Sequence, residues 1–180
     1  MAMFAGNSFC MKMYGITNDE FDPSIDTLNS TLPHLLGYFG VEGLKINIKK
    51  RGFRPEGQGE IYVTFPKIKE LTPCHLKAEG LIKRIRGVAC ASKCSVSILN
   101  RMISSARQIL NDYIPDVWIY SEYSKGKGMA VSSGYALSLS GESLTSKRVT
   151  NDICIKIVGD KKMNSEENLP EEMGKLCALQ

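Results

Sequence analysis

The sequence predicts an α+β protein, and two kinds of periodicity carry that expectation. Apolar residues recur at helical spacing from Ile25 to Phe39 and from Leu99 to Leu110, whereas 44–48, 61–65, 135–139 and 153–157 alternate at strand spacing. These signals come one after another in a helix-strand-helix-strand rhythm. With 180 residues, 43% of them hydrophobic, the chain has apolar material for one ordinary domain or two small ones.

The segment before Gly15 reads as the tail of a strand whose partners are missing. Asp22-Pro23 is the first helix signal, with Asp as cap and Pro at the first helical position, where its absent N–H had no partner. Ile25, Leu28, Leu32, Leu35, Leu36 and Phe39 form the apolar stripe, Pro33 is expected to kink or split the helix, and Gly40 to end it. Leu44, Ile46 and Ile48 alternate with Lys45, Asn47 and Lys49, and Ile61, Val63 and Phe65 alternate with Tyr62 and Thr64, which predicts a β-hairpin with a long loop. Pro66 and Pro73 bracket a crossing between two units.

Beyond that crossing, 82–90 reads as a basic strand, and Ser95 or Ser97 caps a helix that Pro115 stops. Residues 117–120 form a short β-forming run, and Tyr135, Leu137 and Leu139 alternate with small residues, as Ile153, Ile155 and Ile157 do with polar ones. Residues 124–134 predict a flexible loop and 159–168 a polar linker. The last stretch, 169–179, starts a helix with Pro and two acids, and a helix so short needs a neighbour. Both ends suggest a piece of a larger fold.

Net charge is +4, but its distribution says more. Residues 1–43 sum to −4, 44–56 to +4 and 77–107 to +6. Two basic segments are suited to a polyanion, because each neutralised phosphate releases counterions. Two ordinary solvated faces would give the same sums. No run of 18 or more apolar residues exists, so no membrane helix is expected. The six cysteines show no disulfide framework, and Cys90 and Cys94 lack metal-site spacing; no metal and no cofactor is expected. Asp19, Glu20, Asp22 and Asp26 could hold Mg²⁺ only if three converged, and helix-cap chemistry is the simpler role. His34 and His75 are the only histidines, and no nucleophile motif accompanies either, so no catalytic residue is assigned.

The most unusual stretch is Lys49-Lys50-Arg51-Gly52-Phe53-Arg54-Pro55-Glu56-Gly57-Gln58-Gly59-Glu60. Its glycines permit positive φ, so backbone N–H groups could meet an anion, although a hairpin turn needs glycines as well. From Arg51 to Ile61 it resembles the Arg-Gly-x-x-Pro-x-Gly-Gly-Gly signature of the RNA 3′-terminal phosphate cyclase family, with Gln58 at the middle glycine. Upstream, Gly15-Ile16-Thr17-Asn18-Asp19 and Asp22-Pro23-Ser24-Ile25-Asp26 are similar to that family's cyclase-like branch. Downstream, so are Lys83-Arg84-Ile85-Arg86-Gly87, Asn100-Arg101, Ser105-Ala106-Arg107 through Ile114-Pro115-Asp116, and Gly134-Tyr135-Ala136-Leu137-Ser138-Leu139.

The resemblance implies a partial core of βαβαββ repeats with a smaller α+β insert domain. It divides the chain into a partial core repeat at 1–76, an insert-like domain at 77–168, and a truncated return to a core helix at 169–180. True cyclases use ATP and a histidine nucleophile lying beyond the matched region; the cyclase-like branch lacks it and is associated with pre-ribosomal RNA processing. The resemblance therefore implies a non-catalytic role in small (40S) ribosomal subunit biogenesis, with pre-ribosomal RNA or small-subunit processome components and a nucleolar GTPase as partners, in the nucleolus of the nucleus. An ATP-dependent cyclase forming a 2′,3′-cyclic phosphate, and an inactive truncated fragment, are the alternatives. The family-motif loop comprises Arg51, Gly52, Pro55, Gly57 and Gly59. RNA or partner contact is assigned to Lys49, Lys50, Arg51, Arg54, Lys83, Arg84, Arg86, Arg101 and Arg107, because phosphate contacts need clustered cations.

Overall fold

The computed structural model describes residues 2–4, 6–77, 80–124, 131–156 and 169–180, and the α+β expectation holds in it: two sheets and three helices. In chain order the elements are β1 (Phe9–Gly15), α1 (Ile25–Tyr38), β2 (Lys45–Lys50), β3 (Gly59–Phe65), β4 (Ile82–Ser92), α2 (Val96–Leu110), β5 (Val117–Ser124), β6 (Gly134–Ser143), β7 (Arg148–Lys156) and α3 (Leu169–Leu179). One sheet has the order β1-β3-β2 and is wholly antiparallel; the other has the order β5-β4-β6-β7, with only β4 and β5 parallel. A parallel pair needs a crossover, and α2 is that crossover. The expected linker at 159–168 and most of the expected loop at 124–134 lie outside the described residues.

The predicted hairpin forms, with Lys45 opposite Thr64 and Ile48 opposite Ile61, and a bulge then brings Lys50 opposite Glu60. Contrary to the sequence-based expectation, the strand before Gly15 has a partner: β1 runs against β3 from Phe9 opposite Phe65 to Gly15 opposite Gly59. Long-range pairing of this kind leaves no local signal in the sequence. Inward side chains of this sheet, Met13, Ile46, Ile48, Ile61 and Val63, pack against Ile25, Leu28, Leu32 and Leu36 of α1.

The cap of α1 is Ser24, not Asp22. Its hydroxyl accepts from Thr27 N at 3.2 Å, and its own N–H donates to Asp152 of β7 at 2.6 Å. Pro33 neither splits nor ends the helix, which runs unbroken to Tyr38. An interior proline costs about 3 kcal/mol, and burial of α1 on two sides offsets it. Its end comes at the expected glycine: Gly40 takes φ +78°, Val41 N reaches Leu36 O at 3.0 Å, and Gly40 N reaches Gly37 O at 3.0 Å.

α1 is the middle layer. Opposite its apolar stripe, its polar side meets β6 and β7: Thr27 Oγ1 bonds Ser138 Oγ at 2.8 Å, Arg148 donates to Ser30 O at 2.6 Å, and Tyr38 donates to Ser146 O at 2.6 Å. This explains the small residues that alternate along β6. Ala136, Ser138 and Ser140 are all buried beneath the helix side, while Tyr135, Leu137 and Leu139 point the other way into the main core.

That main core lies between the second sheet and α2 and α3. Ser95 caps α2, accepting from Ser97 N at 3.3 Å, and the helix buries Leu99, Met102, Ile103, Ala106 and Leu110. α3, expected as a return to a core repeat, packs on α2 and on β6 and β7, with Cys177 in the same core. Edge strand β5 exposes Trp118 and Tyr120, at 55% and 56%, as an edge-to-face pair.

Two glycines provide opposite tests of this packing. A Cβ at Gly174 would lie 2.3 Å from Met102 O, whereas one at Gly37 meets nothing within 4 Å. Gly174→Ala is expected to destabilise the chain by about 2 kcal/mol or more by prising α3 from α2, and Gly37→Ala to stabilise it by about 0.5–1 kcal/mol. Thermal unfolding followed by circular dichroism reads both shifts.

Candidate functional site

The signature stretch connects β2 to β3 and folds back into the junction between the two sheets. Arg51, the first residue past β2, is 1% exposed. Its Nη1 donates to Asp26 Oδ2 at 2.5 Å, and its Nη2 donates to Asp26 Oδ1 at 2.9 Å and to Glu122 Oε2 of β5 at 2.7 Å. Asp26 stands in the first turn of α1, where a carboxylate also complements the helix dipole. One guanidinium thus joins the first sheet, α1 and the far edge of the second sheet.

The glycines in the loop have a packing reason. A Cβ on Gly52 would lie 2.5 Å from Gly59 N and 2.6 Å from Gly15 O, so three backbone segments meet where no side chain fits. Gly57 takes φ +66°, a conformation that glycine tolerates without strain, and Gln58 comes next at φ 55°. Three of the loop N–H groups are occupied internally. Gly52 N donates to Thr17 Oγ1 at 3.0 Å, Glu56 N to Ser132 Oγ at 3.1 Å, and Gly57 N to Phe53 O at 2.9 Å. These three N–H groups are therefore turned inward and not toward an external anion. Phe53 itself is fully buried against Cys90 and Ala136, and its ring fills the space a Cβ on Gly134 would need, at 2.6 Å. Burial there pushes the Cys90 thiol up to about 12.

The nine cations assigned to RNA contact differ in their surroundings. Arg51 is buried, and this corrects the sequence-based assignment: its guanidinium is enclosed by carboxylates and presents nothing to an external phosphate. Arg54 donates to Asp19 at 2.6 Å beside the Phe21 ring; Arg84 is bidentate to Glu142, Arg86 bidentate to Asp116, and Arg101 bonded to Glu171. Among the described residues, Lys49, Lys50, Lys83 and Arg107 make no carboxylate ion pair. Lys49 and Lys83 are exposed, Lys50 and Arg107 half-buried. These four come from three elements: Lys49 and Lys50 end β2, Lys83 lies at the start of β4, and Arg107 lies in the last turn of α2.

Of the four acids considered for Mg²⁺, Asp26 is held by Arg51 and Asp19 by Arg54, and no group of three or more potential ligands that could hold a metal occurs among the described residues. His34 bonds the Ser146 carbonyl and Tyr38, and His75 stands exposed in the connection between the units. Glu122 is a partner of Arg51 that the sequence does not reveal, since 71 residues separate them. Among the described residues, no helix is long and apolar enough to cross a membrane.

The sequence that folds in this way matches a known family and its curated members. The family described as RNA 3′-terminal phosphate cyclase (RTC), insert domain, matches residues 77–180. The RNA 3′-terminal phosphate cyclase-like proteins of Homo sapiens and Bos taurus are each 37% identical over 180 residues, covering 99% of this chain and 47% of the relative. The rRNA processing protein rcl1 of Schizosaccharomyces pombe is 35% identical over 181 residues, again 99% of this chain and 47% of the relative. The chain belongs to the RNA 3′-terminal phosphate cyclase family, in its cyclase-like branch, and spans about half the length of the curated relatives it matches.

Two predictions come from these ion pairs. Arg51→Met leaves Asp26 buried without its cation and is expected to cost about 3–5 kcal/mol, a fall of about 10 °C in Tm, part of it recovered in Arg51→Met/Asp26→Leu. The second concerns acid. Hydrogen bonds from Arg101 hold the Glu171 carboxyl below its ordinary 4.5, as those from Arg84 do for Glu142. A carboxyl held down in the folded state stabilises fully above its unfolded value, and the contribution disappears as pH falls through the folded one. Stability is therefore expected to fall as pH drops below 4.5, with a shallower fall in Glu171→Gln, measured by urea unfolding across pH.

Proposed function

We propose that this chain is part of a cyclase-like protein acting in pre-rRNA processing and assembly of the small (40S) ribosomal subunit, binding RNA without cyclase chemistry. The observation that carries this reading is the closed signature loop: three of its N–H groups and its Arg51 hold the protein together. A nucleotide phosphate would find neither the Arg51 charge nor those three donors free. His34 is bonded to a turn of the second sheet and not to the loop. The name of the Schizosaccharomyces pombe relative, an rRNA processing protein, points the same way.

On this reading residues 1–76 are a partial βαβαββ core repeat and the insert begins at residue 77. Its site of action is the nucleolus, and its partners are pre-ribosomal RNA or small-subunit processome components, with a nucleolar GTPase among them. Exposed cations supply the attraction to phosphate. Arg86 contributes as well, because its ion pair with Asp116 is exposed, and exposed pairs are worth little and exchange readily for a phosphate.

Incubation with labelled ATP is expected to leave no covalent adenylate on the chain; adenylation of either histidine would establish cyclase-type chemistry instead. Affinity for a structured rRNA fragment is expected to fall steeply as salt rises, with the logarithmic slope set by the number of phosphates neutralised. An affinity indifferent to salt would overturn the role of the cations.

A further inference from the structure

We propose that the outer face of the β1-β3-β2 sheet is a docking surface for single-stranded RNA. The proposal rests on the RNA-binding reading above and assigns that binding to a particular face. Cross-strand partners share a face, so register alone identifies its side chains. Lys45, Thr64 and Cys10 form one row, Asn47, Tyr62 and Lys12 the next, and Lys50, Glu60 and Tyr14 the last. The bulge between Ile48 and Lys50 adds Lys49 at the same end.

Charge is the first argument. Lys12, Lys45, Lys49 and Lys50 face a single carboxylate, Glu60, which bonds Lys12 at 3.0 Å. Lys45 and Lys49 are exposed and form no ion pair among the described residues. The basic strand β4 differs, since Arg84 and Arg86 each lie against a carboxylate of their own. The excess of cations on the outer sheet face suits a phosphate backbone.

Aromatic placement is the second argument. Tyr14 is 68% exposed and Tyr62 half-buried, and the Lys12 ammonium lies 4.8 Å from one ring centroid and 5.4 Å from the other. A shared cation orders two rings that solvation alone would leave free to rotate. Rings on a flat sheet, with Asn47 beside Tyr62 and lysines on the flank, can stack unpaired bases and hold the backbone; a paired duplex buries its base faces. Register puts no Leu, Ile, Val or Met on this face, so an apolar protein partner has little to grip.

Anisotropy of a fluorescein-labelled 12-nucleotide oligouridylate, titrated with the 180-residue chain, tests the assignment. Tyr14→Ala is expected to weaken binding about tenfold. Lys45→Ala/Lys49→Ala should lower the logarithmic salt slope by about 1.4, while Lys175→Ala on α3 leaves the affinity unchanged. All four substituted positions are exposed, and circular dichroism melts check that each variant folds. If the oligonucleotide binds but the face variants bind as the parent does, this proposal is overturned and the RNA-binding reading stands. Equal affinity for a duplex of the same length overturns the single-strand assignment. If neither the oligonucleotide nor a structured rRNA fragment binds, both readings fall and the face is a protein-docking or solvated surface.

Discussion

Arg51 is the point at which the two halves of the molecule are fastened. Burying a guanidinium is costly, and acceptors at both terminal nitrogens offset the cost, although Nε is buried with no hydrogen-bond partner among the described residues. Asp26 accepts at two oxygens and Glu122 at one, while Asn18 sits within 3.4 Å of Nη1. A lysine could not reproduce this, because its single ammonium cannot address a carboxylate as a planar fork and a second acid as well. Position matters as much as charge: the acceptors belong to α1 and β5, so the pair forms only when helix and both sheets are in place. The glycines around it allow the backbone of Gly15, Gly52 and Gly59 to close up behind the ion pair.

That joint dictates the composition of the surrounding elements. A helix sandwiched between two sheets cannot have one apolar stripe and a wet back. Its second side must be small and polar with partners, or it would carry unsatisfied groups into the interior. Ser24, Thr27 and Ser30 on α1 meet Asp152, Ser138 and Arg148 accordingly. The main core, between the second sheet and α2 and α3, is conventional by comparison, apart from the Tyr135 hydroxyl, which is buried without a hydrogen-bond partner among the described residues.

Where local pattern and tertiary environment agree, the sequence is legible. The β2-β3 hairpin, α2 with its serine cap, and β6 with its alternating small residues all arise from periods of two and 3.6. Failures occur where distant chain decides. The partner of β1 is β3, some fifty residues on, and no local signal encodes it. Asp22-Pro23 looks like a helix start, but Ser24 has the geometry, because Asp152 fixes its N–H. Pro33 breaks isolated helices and survives in one packed on both sides. The basic motif is the instructive case: a run of cations reads as a surface, and its central arginine turns out to be the largest fully buried side chain among the described residues. Nothing in the spacing of Arg51 reveals acceptors 25 and 71 residues away. The family resemblance, by contrast, is legible, since several ordered motifs survive over most of the chain.

Edge strand β5 has an optical consequence. Trp118 is the lone indole, more than half exposed and set apart from the core. An indole so exposed is expected to emit much as a solvated tryptophan does and to change little when the interior comes apart. Intrinsic fluorescence is consequently a poor thermometer for this fold but a local sensor of anything that covers that rim.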